Sequence, residues 1–270
     1  MKLHEIGKHE APLRTSSPPT KSLVGYHINN RTVTDPTTGE RRRIWPDSID
    51  VAGIGLTSLE GSPISVTGHF FIDGNKLTTL VGGPEHVGLD FNCSDNLLIS
   101  LEGAPKKVDG MFRCRDNANL RSLEHISEFV GTSIDVTGSA IHSFEFLPLL
   151  HSNLYASDLR FLTTLHDVHR HARFDTAGMM FLKDNRIDSH VLGLLLVENL
   201  EWVHVTYLPS SKLGPCVDCI DPATGELLGA FDVVNKYLRS GSMYDGGSRG
   251  RMIHCQTELM DSGFEEAAKL

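Results

Sequence analysis

The sequence predicts a β-rich solenoid of 21–22-residue repeats, with an N-terminal β-hairpin cap and a C-terminal α+β cap. Three observations predict it. The chain repeats itself from Leu56 onward: LTSLEGSPISVTGHFFIDGNK (56–76), LTTLVGGPEHVGLDFNCSDNL (77–97), LISLEGAPKKVDGMFRCRDNAN (98–119) and a weaker LRSLEHISEFVGTSIDVTGSA (120–140). Its apolar residues fall into columns of the same period. Ten of its 25 glycines lie between 56 and 140, mostly at matching positions, so they mark turns and not general flexibility.

The columns give each element its role. Leu56, Leu77, Leu98 and Leu120 stack, as do Leu59, Leu80, Leu101 and Leu123. Val66, Val87, Val108 and Val130 form a third column. Phe70, Phe91, Phe112 and Ile134 form a fourth, followed two residues later by Ile72, Cys93, Cys114 and Val136. A spacing of two is that of a strand with alternate residues inward. Cys93 and Cys114 are therefore core residues acting as small hydrophobes. Pro63, Pro84 and Pro105 mark an extended turn. Asn75, Asn96 and Asn117 sit where a coil needs a corner, and their amides can satisfy buried backbone groups there. No single unit can bury its own apolar face, so stacking makes one continuous core.

Degenerate coils extend the pattern. Ile49 and Val51 match the strand columns one repeat earlier. Segments 141–160 and 161–182 keep the length but lose the Gly-Pro motif, and LKDNRI (182–187) reads as a last repeat end. The apolar stretch 189–205 reads as a short helix followed by a strand. The organisation expected is an extended segment and hairpin over 1–44, a solenoid over 45–187 and an α+β capping region over 188–270. In the first part, 24–28 and 31–35 read as strands, DPTTGE (35–40) as a turn and RRRIW (41–45) as the return strand. In the last part, 226–240 has helical spacing, 241–250 reads as a flexible loop, and Thr257–Leu270 as a helix.

The repeat unit, close to LTSLEGAP-xx-VxGxFxC-xx-N, resembles that of leucine-rich-repeat-like proteins of tailed bacteriophages. The closing segments VVNKYLRSG (233–241) and MIHCQTELMDSGFEEAAKL (252–270) are similar to that family's tail. The resemblance is specific for architecture. It implies a phage protein in the cytoplasm of an infected bacterium, or in the virion. Chain composition narrows the function classes separately. Asp and Glu outnumber Lys and Arg 34 to 25, for a net charge of −9, which argues against a nucleic-acid partner. The longest apolar run, Val191–Val197, is too short to cross a bilayer, so no membrane partner is expected. The opening residues lack the apolar core of a signal peptide. Five cysteines fit a reducing compartment.

Candidate sites follow from residue type and register. If Phe112 and Cys114 point inward, Arg113 and Arg115 point outward, and the same columns carry Phe71, Asp73, Asn92 and Asp135. This strand face is the expected binding surface, since solenoids commonly bind through an extended face. Cys216-x-x-Cys219 together with His254 and Cys255 has the residue types of a zinc site, although the second pair is adjacent instead of spaced. No other cofactor is implied. His166, His169 and His171 cluster in sequence, without a carboxylate pattern to complete a site. Lys107-x-Asp109-Gly110 falls in repeat register and carries no nucleotidyl-transfer chemistry. Gly246–Arg251 reads as a glycine-rich linker. The sequence thus points to a non-enzymatic interaction module of phage origin that binds a host or phage protein, as in host takeover. The rival readings are a virion-associated structural protein or homo-oligomer, and a metal-binding or enzymatic C-terminal region.

Overall fold

The computed structural model describes residues 21–24, 26–28, 31–32, 40–206, 212–214, 229–239 and 247–270. After an antiparallel pair, β1 (His27–Ile28) and β2 (Arg31–Thr32), the chain coils through ten two-residue strands: β3 (Ile44–Trp45), β4 (Ile49–Asp50), β5 (Ser65–Val66), β6 (Phe70–Phe71), β7 (His86–Val87), β8 (Phe91–Asn92), β9 (Lys107–Val108), β10 (Phe112–Arg113), β11 (Phe129–Val130) and β12 (Ile134–Asp135). Then come β13 (Leu154–Tyr155), a helical turn α1 (Val168–His171), β14 (Gly178–Phe181), a 3-10 turn (Val191–Leu196), β15 (Leu200–His204), α2 (Ala230–Arg239) and α3 (Gly247–Asp261). The strands from β3 onward form two parallel sheets, β3-β5-β7-β9-β11 and β4-β6-β8-β10-β12-β13-β14-β15. The result is a parallel β-solenoid of about eight turns.

Burial follows the expected columns. Phe70 pairs in register with Phe91, Phe91 with Phe112, and Phe112 with Ile134. All four are fully buried, and the rings of Phe70 and Phe91 stack at 6.0 Å. The valine column, however, belongs to a second sheet. Val66, Val87, Val108 and Val130 are the inward residues of β5, β7, β9 and β11. Two-residue strands leave too short an alternation to be read from one repeat.

The third side of each coil has no strand and is held by local bonds. Ser58, Ser100 and Ser122 hydroxyls accept the N–H two residues on, at 3.0–3.1 Å. Next stands a residue of positive φ: Gly61, Gly82 and Gly103. At Gly103 a Cβ would lie 2.4 Å from the backbone of Leu80 and Val81, so the close approach of coils itself requires glycine. In the following coils His125 (φ 68) and Phe146 (φ 70) occupy this left-handed position. Loss of the Gly-Pro motif after residue 123 therefore does not end the solenoid.

The asparagine corners behave as expected, and each follows a left-handed residue: Gly74, Asp95 and Asp116. Asn96 is 4 % exposed. Its Oδ1 accepts from Leu77 N–H at 3.0 Å, and its Nδ2 donates to the carbonyls of Ile72 and Cys93 at 3.0 and 3.1 Å. Asn75 and Asn117 repeat the pattern on neighbouring coils. Asn185, after left-handed Asp184, does so again, bonding Leu159 N–H and the Ala156 carbonyl.

Beyond the coils, the structure revises three expectations. Ile44–Trp45 joins the solenoid: it pairs parallel with Ser65–Val66, because Trp45 belongs to the buried column above Val66. The last helix runs Gly247–Asp261 and does not span Thr257–Leu270. Gly263 (φ 78) stops it: the Gly263 N–H bonds Met260 and the Phe264 N–H bonds Leu259, the two bonds of a Schellman end. The glycine-rich stretch accordingly contributes its last residues to α3, while 241–246 lies outside the described residues. The two turn hexapeptides also lie outside them, apart from Glu40. The helix expected over 226–240 forms as α2, where Asp232 accepts from Gly229 N–H at 2.8 Å. No helix among the described residues is long and apolar enough to cross a membrane.

A corner asparagine satisfies two coils at once, so its removal strands buried backbone groups. Asn96→Ala should lose about 2–4 kcal/mol of stability, measured by urea unfolding. The exposed control Lys76→Ala should stay within about 0.5 kcal/mol of the parent.

Candidate interaction face

Strand register decides which side chains share a face. On the outer side of the eight-stranded sheet, Phe71, Asn92, Arg113, Asp135, Tyr155, Phe181 and His204 stand in one column. Asp73 and Arg115 stand in the next column, two residues on along their strands. The structure therefore brings all six sequence-derived face residues together.

Most of them are engaged with one another. Asn92 Nδ2 donates to Asp73 Oδ1 at 2.9 Å. Arg113 Nη1 donates to Asp90 Oδ2 at 3.0 Å, and Asp90 Oδ1 accepts from Met111 N–H at 2.9 Å. Arg115 Nε lies 3.8 Å from Asp135 Oδ2. Asp135 is on the face but only 8 % exposed, and its other oxygen accepts from Thr137 N–H. Burial alone would raise the Asp90 carboxyl, but the Met111 N–H and the Arg113 guanidinium outweigh it and hold the group below the ordinary aspartate range. The central part of the face is thus a ladder of mutually paired polar groups. Phe71 stands beside it, half-buried, with its ring 5.0 Å from that of His69.

The C-terminal half of the face is aromatic. Tyr155 and Phe181 stack at 4.5 Å and 15°, and Phe181 and His204 at 4.6 Å and 3°. Trp202 meets His204 edge-on, and the Arg239 guanidinium lies 3.5 Å above the Trp202 ring. Sequence reasoning missed these residues because the late coils lose the repeat period. A usable signal existed: Leu154-Tyr155-Ala156, Met180-Phe181-Leu182 and Val203-His204-Val205 copy the apolar–aromatic–apolar order of Phe70-Phe71-Ile72.

Other candidates resolve as follows. Cys255 is fully buried, and burial pushes its thiol up to about 12, while His254 stands exposed on the same helix. Cys216 and Cys219 lie outside the described residues. Among the described residues, no group of three His, Cys, Asp or Glu side chains is placed to hold a metal ion. His166 and His171 border a cleft of about 270 Å³ with His142, and His166 pairs with Asp167 at 3.1 Å. Lys107 and Asp109 form a surface ion pair at 2.7 Å. His86 bridges Asp109, at 2.8 Å, and the Ser65 hydroxyl, at 3.4 Å. This line has the residue types of a hydrolytic triad. However, the adjacent N–H groups of Thr67, Gly88 and Asp109 all donate to carbonyls of the preceding coil and cannot serve an oxyanion.

The chain matches no protein-family model, no curated protein and no solved structure.

Two measurements check these assignments. A carboxyl with a depressed native pKa stabilises the fold above its unfolded value and loses that contribution as pH falls through the native one. Asp90→Asn should therefore be less stable than the parent at pH 7, with the gap closing once pH drops below the ordinary aspartate range near about 4. Alkylation at pH 8 read by mass spectrometry should leave Cys93, Cys114 and Cys255 unmodified in the folded protein, and modify all three in urea.

Proposed function

We propose that this chain is a non-enzymatic interaction module that captures a protein partner on the outer face of its eight-stranded sheet. The observation that carries the reading is the arrangement of that face. A rigid set of in-register strands presents an internally paired polar ladder continuous with a strip of half-buried aromatic rings. Protein interfaces favour such surfaces: aromatic and arginine side chains supply the anchors, and paired charges at the rim supply orientation. The fixed spacing of parallel strands holds the side chains in place before binding, which lowers the ordering cost.

The repeat resemblance extends this reading to a leucine-rich-repeat-like phage protein acting on a host or phage protein in the infected cell. In that reading the β1–β2 pair closes one end of the solenoid, and the α2–α3 segment the other. Association of copies through open sheet edges is less well supported at the β15 end. There the buried Asn235 of α2 takes the place of a next strand, accepting from Val203 N–H at 2.9 Å and donating to its carbonyl at 2.7 Å.

A photo-crosslinking residue at Arg115, introduced in the cells that make the protein, should give one discrete protein adduct. The same residue at Thr57, on the strand-free side, should give none. Replacing Phe71, Arg113 and Arg115 together by alanine should weaken capture by about tenfold or more without loss of the folded state. Equal adducts at both positions, or undiminished capture by the triple variant, would remove this face from consideration.

A further inference from the structure

The aromatic ladder ends at the β15 edge of its sheet. Each strand from β13 to β15 adds one ring, and the ring separations of 4.5 and 4.6 Å match the spacing of neighbouring strands. His204 is the last member, because β15 is the last strand of its sheet. One face of its imidazole is covered by Phe181, and among the described residues no further strand supplies a ring for the other. Against His204 lies a cleft of about 480 Å³, lined by Met179, Glu201, Trp202, His204, Leu238 and Arg239. That volume lies in the range of small-molecule sites.

The electrostatics of this cleft differ from those of the chain. The protein as a whole carries −9, yet Arg239 lines the cleft and Lys183 stands close enough for both to act on His204. Burial first, then these two cations, lowers the His204 pKa and so favours the uncharged imidazole. The Arg239 guanidinium lies 3.5 Å from the centre of the Trp202 ring at the cleft wall, and a guanidinium offers several N–H donors to an anion. Glu201 supplies an acceptor for a ring amino group.

We propose that this cleft binds a small molecule that joins a planar aromatic ring to an anionic group. The ring stacks on the free face of His204 as the next member of the ladder, between the Trp202 and Leu238 sides of the cleft. The anion pairs with Arg239. The cleft lies at the β15 end of the same sheet face, and its occupation needs no partner chain.

The test uses the full chain and its own fluorescence. Of its two tryptophans, Trp45 is buried at 2 % exposure and Trp202 lines the cleft, so Trp202→Phe provides the blank. Adenosine 5′-monophosphate is the probe, with adenosine and inorganic phosphate as the ring-only and anion-only arms. The monophosphate should change Trp202 emission saturably, and each half-molecule should bind about tenfold or more weakly. His204→Ala and Arg239→Ala should each raise Kd by about tenfold with thermal unfolding unchanged, while His204→Phe, which keeps a ring, should retain binding. No saturable change with the monophosphate at millimolar concentration would overturn the proposal. So would adenosine or phosphate binding as tightly as the monophosphate, or binding that survives His204→Ala.

Discussion

At one corner of the coil a buried asparagine amide spans two turns of chain, and the rest of the solenoid depends on that bond set. A parallel solenoid must reverse direction several times per turn with its backbone close to the core, and each reversal leaves N–H and C=O groups that no strand can pair. Asn75, Asn96 and Asn117 answer this with one side chain each. Their Oδ1 accepts from the N–H of the leucine that opens their own repeat, and their Nδ2 donates to the strand of their own coil and to the coil before. The left-handed residue before each one sets the angle of approach. With the corner fixed, inward columns of Leu, Val, Phe and Cys stack on the same period, and the outward columns are fixed with them.

This division separates packing from surface chemistry. Inward positions answer to packing, and their neighbours are the matching column positions one turn away. Outward positions answer only to their cross-strand partners, so the chain can place a charged ladder on coils two to five and an aromatic one on the last three without disturbing the core. The Asp90–Arg113 and Asp73–Asn92 contacts lower the cost of holding polar groups on a partly covered face. The Tyr155–Phe181–His204 stack does the same for apolar rings. Asn235 repeats the corner device at the sheet end: a side-chain amide again replaces a missing strand.

The sequence by itself determined the period, the core columns, the asparagine corners and the residues sharing the central face, because identical side chains recurring every 21 or 22 residues can only be neighbours if the coils stack. It also indicated the direction of Phe71, Arg113 and Arg115, since a strand alternates. Tertiary structure alone decided the second sheet, whose strands are two residues long. It decided the survival of the coil after residue 123, where His125 and Phe146 hold a backbone conformation that composition assigns to glycine. It decided the aromatic ladder too, since Tyr155 pairs with Phe181, and Phe181 with His204, only through register across coils of unequal length. The physical reason is one of range: periodic contacts repeat their own signal along the chain, whereas a contact made once, between irregular coils, leaves no pattern in the sequence to be read.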